Sequence, residues 1–475
     1  MELTTQQNKV FEQIKAFLDS DASVSILRGY AGTGKTTMVK VIADYVEQNR
    51  QLVMMAPTGR AARVLNKKTG HDAVTIHKAI YARAHVKYKK VKDVADSEFK
   101  FVFPINQSEK GGNIVAIVDE ASMLCSRKIE HELFVFGTDN LMEDLLTFVR
   151  PNFGGKVIFV GDPAQLPPVG ESVSNALRAE YFQEKGLKVI EAELTEVLRQ
   201  KADSVILKNA MMIRDLIKKD KRNQLVFEEQ KDDVEMVPSE QFLDKYIKYR
   251  KESGRHDSVI ICFSNKSANR YNIDIRKALY GGDVPLREND ILLITQNNYR
   301  LGLMNGEFVP VLSVGARTQQ SAPVYAQIGG KKERIVITLN FIQVTVPDGN
   351  GNPKPCMLLE DLLTSDKATI SIDENRALYI NFCMRHPYLK QDTEAFAEAL
   401  LNDVYYNAIR AKYGYAVTGH KCQGGEWGKV FVDYTGRTPD FVIASPKNLH
   451  QRVWRFSDAL PSTLSECIHP CSEVA

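Results

Sequence analysis

The chain has 475 residues with 62 basic and 59 acidic side chains, a net charge of +3, so any nucleic-acid surface must be a local patch rather than a global field. Its hydrophobic content of 44% suits ordinary packed cores, and no apolar run is long enough to span a bilayer, which excludes a helical membrane protein. Seven cysteines include no C-x-x-C pair, and Cys467, His469 and Cys471 lack ligand spacing, which excludes a disulfide framework and a four-cysteine zinc site.

The polar start, Met1 to Gln7, does not read as a leader, so a soluble intracellular protein of about two to four domains is expected. Thr4 to Asp19 reads as a helix capped by Thr4 or Thr5, with Val10, Phe11, Ile14, Phe17 and Leu18 on its apolar face. Gln7 lies just inside it, and an amide can pair with both the donor and the acceptor edge of adenine. On an exposed turn it would simply be solvated. Val24-Ser25-Ile26-Leu27 then reads as a buried strand. It leads into Gly29-Tyr30-Ala31-Gly32-Thr33-Gly34-Lys35-Thr36, a phosphate loop followed by Thr37 and an amphipathic helix. Such a loop sets free N–H groups and a helix dipole against phosphates. Lys35 suits the β- and γ-phosphates, and the Thr36 hydroxyl suits Mg²⁺. ATP and Mg²⁺ are therefore the expected cofactors.

The strand Leu52 to Ala56 runs into Pro57-Thr58-Gly59-Arg60 and a helix. There Thr58 and Arg60 either contact backbone phosphates or form a capped turn with a solvated arginine. His77 is a further phosphate or sugar candidate, or a structural histidine. From 79 to 112 the αβ rhythm breaks. Lys87, Lys89, Lys90 and Lys92 interleave with Tyr81, Tyr88, Phe99, Phe101 and Phe103, a mixture suited to a single strand or to a solvated loop. Ile114 to Val118 is the next buried strand and ends in Asp119-Glu120-Ala121-Ser122. Asp119 suits a water-mediated hold on Mg²⁺, and Glu120 suits deprotonation of an attacking water. The strand Lys156 to Val160 leads into Gly161-Asp162-Pro163-Ala164-Gln165, which places Gln165 to bond a γ-phosphate or its water. Arg199, in Leu194 to Gln200, is either an arginine finger or a surface residue.

A helical stretch from about 201 to 255 joins this half to a second αβ series. Its strands are Val259 to Phe263 and Asp290 to Ile294, with Ser264-Asn265 starting the helix between them. Short alternating runs at 308–314, 334–346 and 377–382, with turn signals between them, read as an inserted β-domain or small barrel. A helix over 393–411 leads back. The last dense stretch, Tyr413 to Trp427, precedes the strand 429–432. Thr418, His420 and Lys421 suit a phosphodiester, while Gln423, Gly424 and Glu426 are placed to face the nucleotide.

In this order the motifs resemble those of superfamily 1B DNA helicases, the petite-integration-frequency family and its RecD relatives. The most specific pieces are Gly161 to Gly170 and Tyr415 to Gly424, and the resemblance covers roughly 3 to 432. It implies an α/β fold of two RecA-like P-loop domains with parallel sheets. One would be residues 1–190, with 79–112 as a small wedge insertion. The other would be 191–300 with 401–475, carrying a Src-homology-type β-barrel at 301–400. By match to the family's motifs, Gln7 contacts adenine, Gly29 to Thr37 holds phosphate, and Thr36 and Asp119 hold the metal. Lys35, Glu120, Gln165 and Arg199 are catalytic, and Pro57, Thr58, His77, Asn265, Thr418, His420 and Lys421 contact DNA. The resemblance implies 5′→3′ translocation on single-stranded DNA and unwinding of duplex or G-quadruplex DNA. Single-stranded DNA and strand junctions are thus the expected partners of a monomer that is cytoplasmic (bacterial-type) or associated with the nucleoid, with no membrane partner. The alternatives are an ATP-gated DNA-binding subunit with little turnover, or an RNA translocase. One departure stands out. The family's last motif, close to Thr-Ala-x-Thr-Arg-Ala, is replaced by nothing nearer than Ser457-Asp458-Ala459. The tail 437–475 lacks strand–helix rhythm, and Arg452 and Arg455 are loose substitutes for a second γ-phosphate arginine.

Overall fold

The computed structural model describes residues 3–30, 32–82, 85–89, 98–106, 114–129, 134–168, 170–196, 205–218, 227–230, 233–253, 257–298, 300–391, 393–423, 425, 427–433 and 452–457. Helix α1 (Thr5–Asp19) opens with a capping box, in which Thr4 accepts from the Gln7 amide and the Gln7 side chain accepts from the Thr4 amide. Such a cap contributes about 1 kcal/mol. Its apolar face, Val10, Ile14, Phe17 and Leu18, is buried. Strand β1 (Val24–Gly29), helix α2 (Lys35–Val46), strand β2 (Gln51–Ala56), helix α3 (Gly59–Thr69), strand β3 (Ala73–Thr75) and helix α4 (Ile76–Ile80) continue the alternation.

The insertion begins with a hairpin of β4 (His85–Lys89) and β5 (Glu98–Phe103). Next come β6 (Ile114–Val118), β7 (Phe134–Phe136), which pairs with β5, helix α5 (Leu141–Val149), β8 (Lys156–Gly161), α6 (Ala179–Gln183) and β9 (Val189–Leu194). Six strands form one parallel sheet in the order β3-β2-β6-β8-β1-β9. Every residue of β6 and β8 is buried. That explains why both read as continuous apolar runs rather than alternating ones. One exception is Lys156, whose ammonium donates to the carbonyls of Phe17, Ser20 and Ala22 at 3.1, 2.8 and 2.6 Å and so ties the end of α1 beneath the sheet. The edge strand β9 carries the first sheet past residue 190, to Leu194.

The second half holds α7 (Val205–Lys218), β10 (Val234–Pro238), α8 (Ser239–Ser253), β11 (Ser258–Cys262), α9 (Asn265–Tyr280) and β12 (Ile291–Ile294). The stretch 201–255 is thus not wholly helical. Then come β13 (Phe308–Pro310), β14 (Ser313–Ile328), β15 (Lys331–Pro347), β16 (Pro353–Leu359), α10 (Ile372–Arg385) and α11 (Glu394–Asn402). The chain closes with β17 (Ala411–Tyr413), β18 (Ala416–Thr418), α12 (Gly419–Cys422), β19 (Lys429–Val432) and β20 (Arg452–Ser457). The second sheet has the order β10-β20-β19-β11-β18. It is mixed rather than parallel, because β20 runs antiparallel to both β10 and β19. A strand therefore exists in the tail, just before Asp458-Ala459; residues 434–451 and 458–475 lie outside the described set.

The inserted strands line two cores, one inside the ring with Leu292, Val309, Val344, Leu358 and Ala411, the other where Ala322, Val324, Leu339 and Phe341 pack on Leu378, Phe382 and Phe396. β12 pairs with β13 and β17, the chain continues from β13 into β14, and β15 pairs with β14 and β16. The ring closes where the Leu359 amide donates to Ile409 and the Ile409 amide donates to Met357. The run 377–382 is not a strand but the middle of α10. All six of its residues are buried, so neither a two-residue nor a one-sided helical period is visible. The usable signal was the capping box of Ser371 and Glu374. The helix over 393–411 is also shorter than its pattern suggested. It ends at Asn402, where Asp403 accepts from the Tyr405 and Tyr406 amides and from Nη1 and Nη2 of Arg385.

A buried carboxylate organises this half. Asp290, fully buried, accepts from Arg276 at 3.1 and 2.9 Å, the Arg287 amide at 2.9 Å and the Tyr415 hydroxyl at 2.6 Å. Asp290→Ala leaves the Arg276 cation without its counter-ion, and thermal or urea unfolding of the purified variant should show a loss of about 3–5 kcal/mol.

Candidate nucleotide and nucleic-acid site

The order of the first sheet brings the C-terminal ends of β1, β2, β6 and β8 to one edge, where a parallel sheet binds its ligands. At the end of β1, Gly32 and Gly34 both take φ of 83°, which L side chains rarely adopt, and Gly34 caps α2. Gly29 is required by space: a Cβ there would lie 2.8 Å from Thr33 Oγ1 and 3.0 Å from Lys35 Cγ. Thr33 Oγ1 donates to Tyr30 O at 2.8 Å. The Lys35 ammonium folds back over the loop, donating to Gly29 O at 2.6 Å and Tyr30 O at 3.1 Å, and lies 3.8 Å from the Asp162 carboxylate. Thr36 and Thr37 follow half-buried in the first turn of α2, while Ala31 lies outside the described residues. A glycine turn, a helix N-terminus and a cation that bonds loop carbonyls and faces the carboxylates of Asp119, Glu120 and Asp162 make a cradle that fits a polyphosphate.

Asp119 and Glu120 leave the end of β6 side by side. Glu120 adopts φ 51°, a left-handed conformation that a non-glycine residue takes at an energetic cost of order 1–3 kcal/mol. Burial raises both carboxyls above their ordinary range. Glu120 reaches about 7, through burial first and then the neighbouring Asp119 charge; Lys35 and a hydrogen bond with Gln165 pull it partly back. Ser122 Oγ donates to Gln165 Oε1 at 2.6 Å, and the Gln165 amide donates to Asp162 O at 3.1 Å. Ser122 and Asp162, both fully buried, thus set the orientation of Gln165. Reading the sequence singled out neither, although both lie within the motifs at 119–122 and 161–165.

Gln7 is 3% exposed. Its Oε1 accepts from the Thr4 amide at 3.1 Å, and its Nε2 is buried with no hydrogen-bond partner among the described residues. A buried donor left unbonded is costly, so this atom fits the acceptor of a purine edge. The adjacent Gln6 grips the chain after β9: its Oε1 accepts from the Thr195 and Glu196 amides at 3.1 and 2.9 Å, and its Nε2 donates to Thr195 Oγ1 at 2.7 Å. Arg199 lies just beyond, outside the described residues, as do Gly424 and Glu426.

The strand-contact candidates fall into two groups. Thr58 caps α3, accepting from the Ala61 amide at 3.2 Å, and Pro57 precedes it. The start of α3 meets the segment 302–308. A Cβ on Gly59 would lie 2.1 Å from the Met304 side chain, Arg63 pairs with Glu307 at 3.0 Å, and the Arg60 guanidinium lies 5.0 Å from Trp427 and 5.5 Å from Phe308. From the other half, Lys421 Nζ donates to Asn305 Oδ1 at 2.6 Å. Gly59, Arg60 and Arg63 from the first half and Lys421 from the second therefore meet the same segment. Burial, reinforced by Lys421, pushes His420 below its ordinary range, and burial also lowers Lys421. Thr418 is the N-cap of α12 without a side-chain bond, and Asn265 is exposed at the start of α9. His77 stands apart from these, against the rings of Tyr81 and Phe136. No cluster of three or more potential metal ligands among His, Cys, Asp and Glu occurs among the described residues. No helix among the described residues is long and apolar enough to cross a membrane.

Residues 2–238 match the AAA domain family. The ATP-dependent RecD2 DNA helicase of Deinococcus radiodurans is 30% identical over 209 residues, covering 44% of this chain and 23% of that protein. The ATP-dependent DNA helicase dda of Enterobacteria phage T4 is 29% identical over 204 residues, 42% of this chain and 40% of its own length. The chain thus spans less than half the length of these two relatives. The crystal structure of the Pif1 helicase from Bacteroides in complex with ADP-AlF3 and ssDNA has a TM-score of 0.43 and 16% identity, covering 92% of this chain and 87% of that one.

Proposed function

We propose that the chain, whose residues 2–238 match the AAA domain family and which resembles a RecD2 helicase over 209 residues, is a superfamily 1B ATP- and Mg²⁺-dependent helicase moving 5′→3′ on single-stranded DNA. One observation carries this reading: Lys35, Asp119, Glu120, Asp162 and Gln165 converge at one sheet edge as a linked electrostatic cluster. In it, Lys35 leaves its loop carbonyls for the β- and γ-phosphates. Glu120 takes a proton from the attacking water, which displaces ADP from the γ-phosphorus. Gln165 orients that water, and Arg199 neutralises charge on the transferred group. Thr36 and Asp119 would hold Mg²⁺, which supplies further charge neutralisation. Gln7 reads the purine, and Gln6 holds the segment leading to Arg199.

Residues 57–58, 77, 265, 418 and 420–421 grip the strand, mostly by its phosphates, so binding is salt-dependent and weakly sequence-specific. On this reading the inserted ring of strands is the Src-homology-type barrel, and the insertion 79–112, which holds β4 and β5, is the wedge. Duplex and G-quadruplex DNA ahead of a single-stranded 5′ tail are the expected substrates. A strand-displacement assay with 5′- and 3′-tailed duplexes tests the proposal. Unwinding with ATP from the 5′ tail is expected. Unwinding from the 3′ tail alone overturns the polarity, and none from either tail despite ATP hydrolysis overturns the helicase reading.

A further inference from the structure

Between α4 and the inserted ring lies a cavity of about 470 Å³. Lys78, Arg300 and Arg410 line it, with the rings of Tyr81, Phe103 and Phe136 on one wall, and no carboxylate is among its described lining residues. Arg410 is the informative group. It is only 9% exposed, its Nη1 donates to the neutral Gln296 Oε1 at 2.5 Å, and among the described residues it forms no ion pair with a carboxylate. The nearby Glu374 is committed to the cap of α10, accepting from the Ser371 amide at 2.5 Å. A buried guanidinium that Glu374 attracts only through space, in a cavity with three cations and no carboxylate among its described lining residues, favours an anion. Arginine in particular matches phosphate oxygens with its planar fork, and aromatic walls accept a base.

We propose that this cavity is a second nucleotide-binding station for the strand, with a phosphodiester on Arg410, Lys78 and Arg300 at its mouth and the base against the aromatic wall. It rests on the reading of the chain as a single-strand translocase. It places His77 and the α4 turn on the strand's path across the ring, some distance in sequence from the segment 302–308.

The test is fluorescence anisotropy of labelled oligo(dT) over a potassium chloride series. For Arg410→Gln the slope of log affinity against log salt should fall by about 0.7, the contribution of one single-strand phosphate contact, with affinity lowered about tenfold at low salt. Arg410→Lys should restore the slope. A folded Arg410→Gln variant with wild-type affinity and slope overturns the proposal. If that variant does not fold, Lys78→Gln combined with Arg300→Gln, both at exposed positions, should lower the slope by about 1.4, and an unchanged slope there is equally fatal. Wild-type protein that fails to bind oligo(dT) at any salt overturns the translocase reading instead. Calorimetric binding of free dTMP to wild type and not to Arg410→Gln, with the oligo(dT) slope unchanged, would overturn the strand as the source of the phosphate.

Discussion

Lys35→Ala should lower ATP turnover by about 10²–10³-fold, the loss typical of removing one preorganised charge-stabilising group, while the protein stays folded. Its ammonium is held by two backbone carbonyls of its own loop and, at 3.8 Å, by Asp162. Those carbonyls can turn to water when the side chain is removed, since the loop lies at the open edge of the sheet. Asp162 keeps its bond from the Ala164 amide at 2.9 Å. Phosphate release under saturating ATP, with a thermal melt as the control for folding, checks both halves. Hydrolysis near the wild-type rate would show that the phosphates lie elsewhere.

Glu120→Gln should cost about 10²–10⁴-fold in turnover, the usual worth of a general base, and should leave nucleotide binding intact. The amide is isosteric and can still bond Gln165. The pH dependence has a definite sign. A base works only when ionised, and Glu120 in the nucleotide-free protein is raised to about 7. Wild-type turnover should therefore rise from pH 6 to pH 8 and level off above, and the variant should lose that limb. Stability runs the other way. An unfolded glutamate ionises near pH 4.3, so a fold that holds it at about 7 is disfavoured progressively between those values, most above pH 7. The variant lacks that disadvantage. It should melt higher than wild type at pH 8 and no higher at pH 4.

The parts of the site legible in the sequence were those whose chemistry is local. The glycines at 29, 32 and 34, the lysine after them and the carboxylates ending a run of five buried residues declare themselves within a few positions. The misreadings share a physical cause. At 377–382 the helix is buried nearly all round, and burial on every side erases the period that distinguishes helix from strand. The second sheet was read as parallel because strand runs show no direction, and the reversal of β20 depends on its partners β10 and β19. Arg410 and Lys156 look in sequence like any basic residues beside strands. Their burial is visible only when the carbonyls and rings around them are in place.

The amino-acid sequence by itself determined the alternation of strand and helix and the identity of the phosphate cradle, because backbone conformation and apolar runs are set by neighbours in the chain. Tertiary structure alone decided which loops share the edge, through the order β3-β2-β6-β8-β1-β9. It also joined Ser122 to Gln165 across 43 positions and Gln6 to Thr195 across 189. The raised pKa of Glu120 and the burial of the Arg410 guanidinium with no ion pair among the described residues belong to the same class. Each is a matter of solvent excluded by distant residues, and desolvation is a property of the packed fold rather than of any segment.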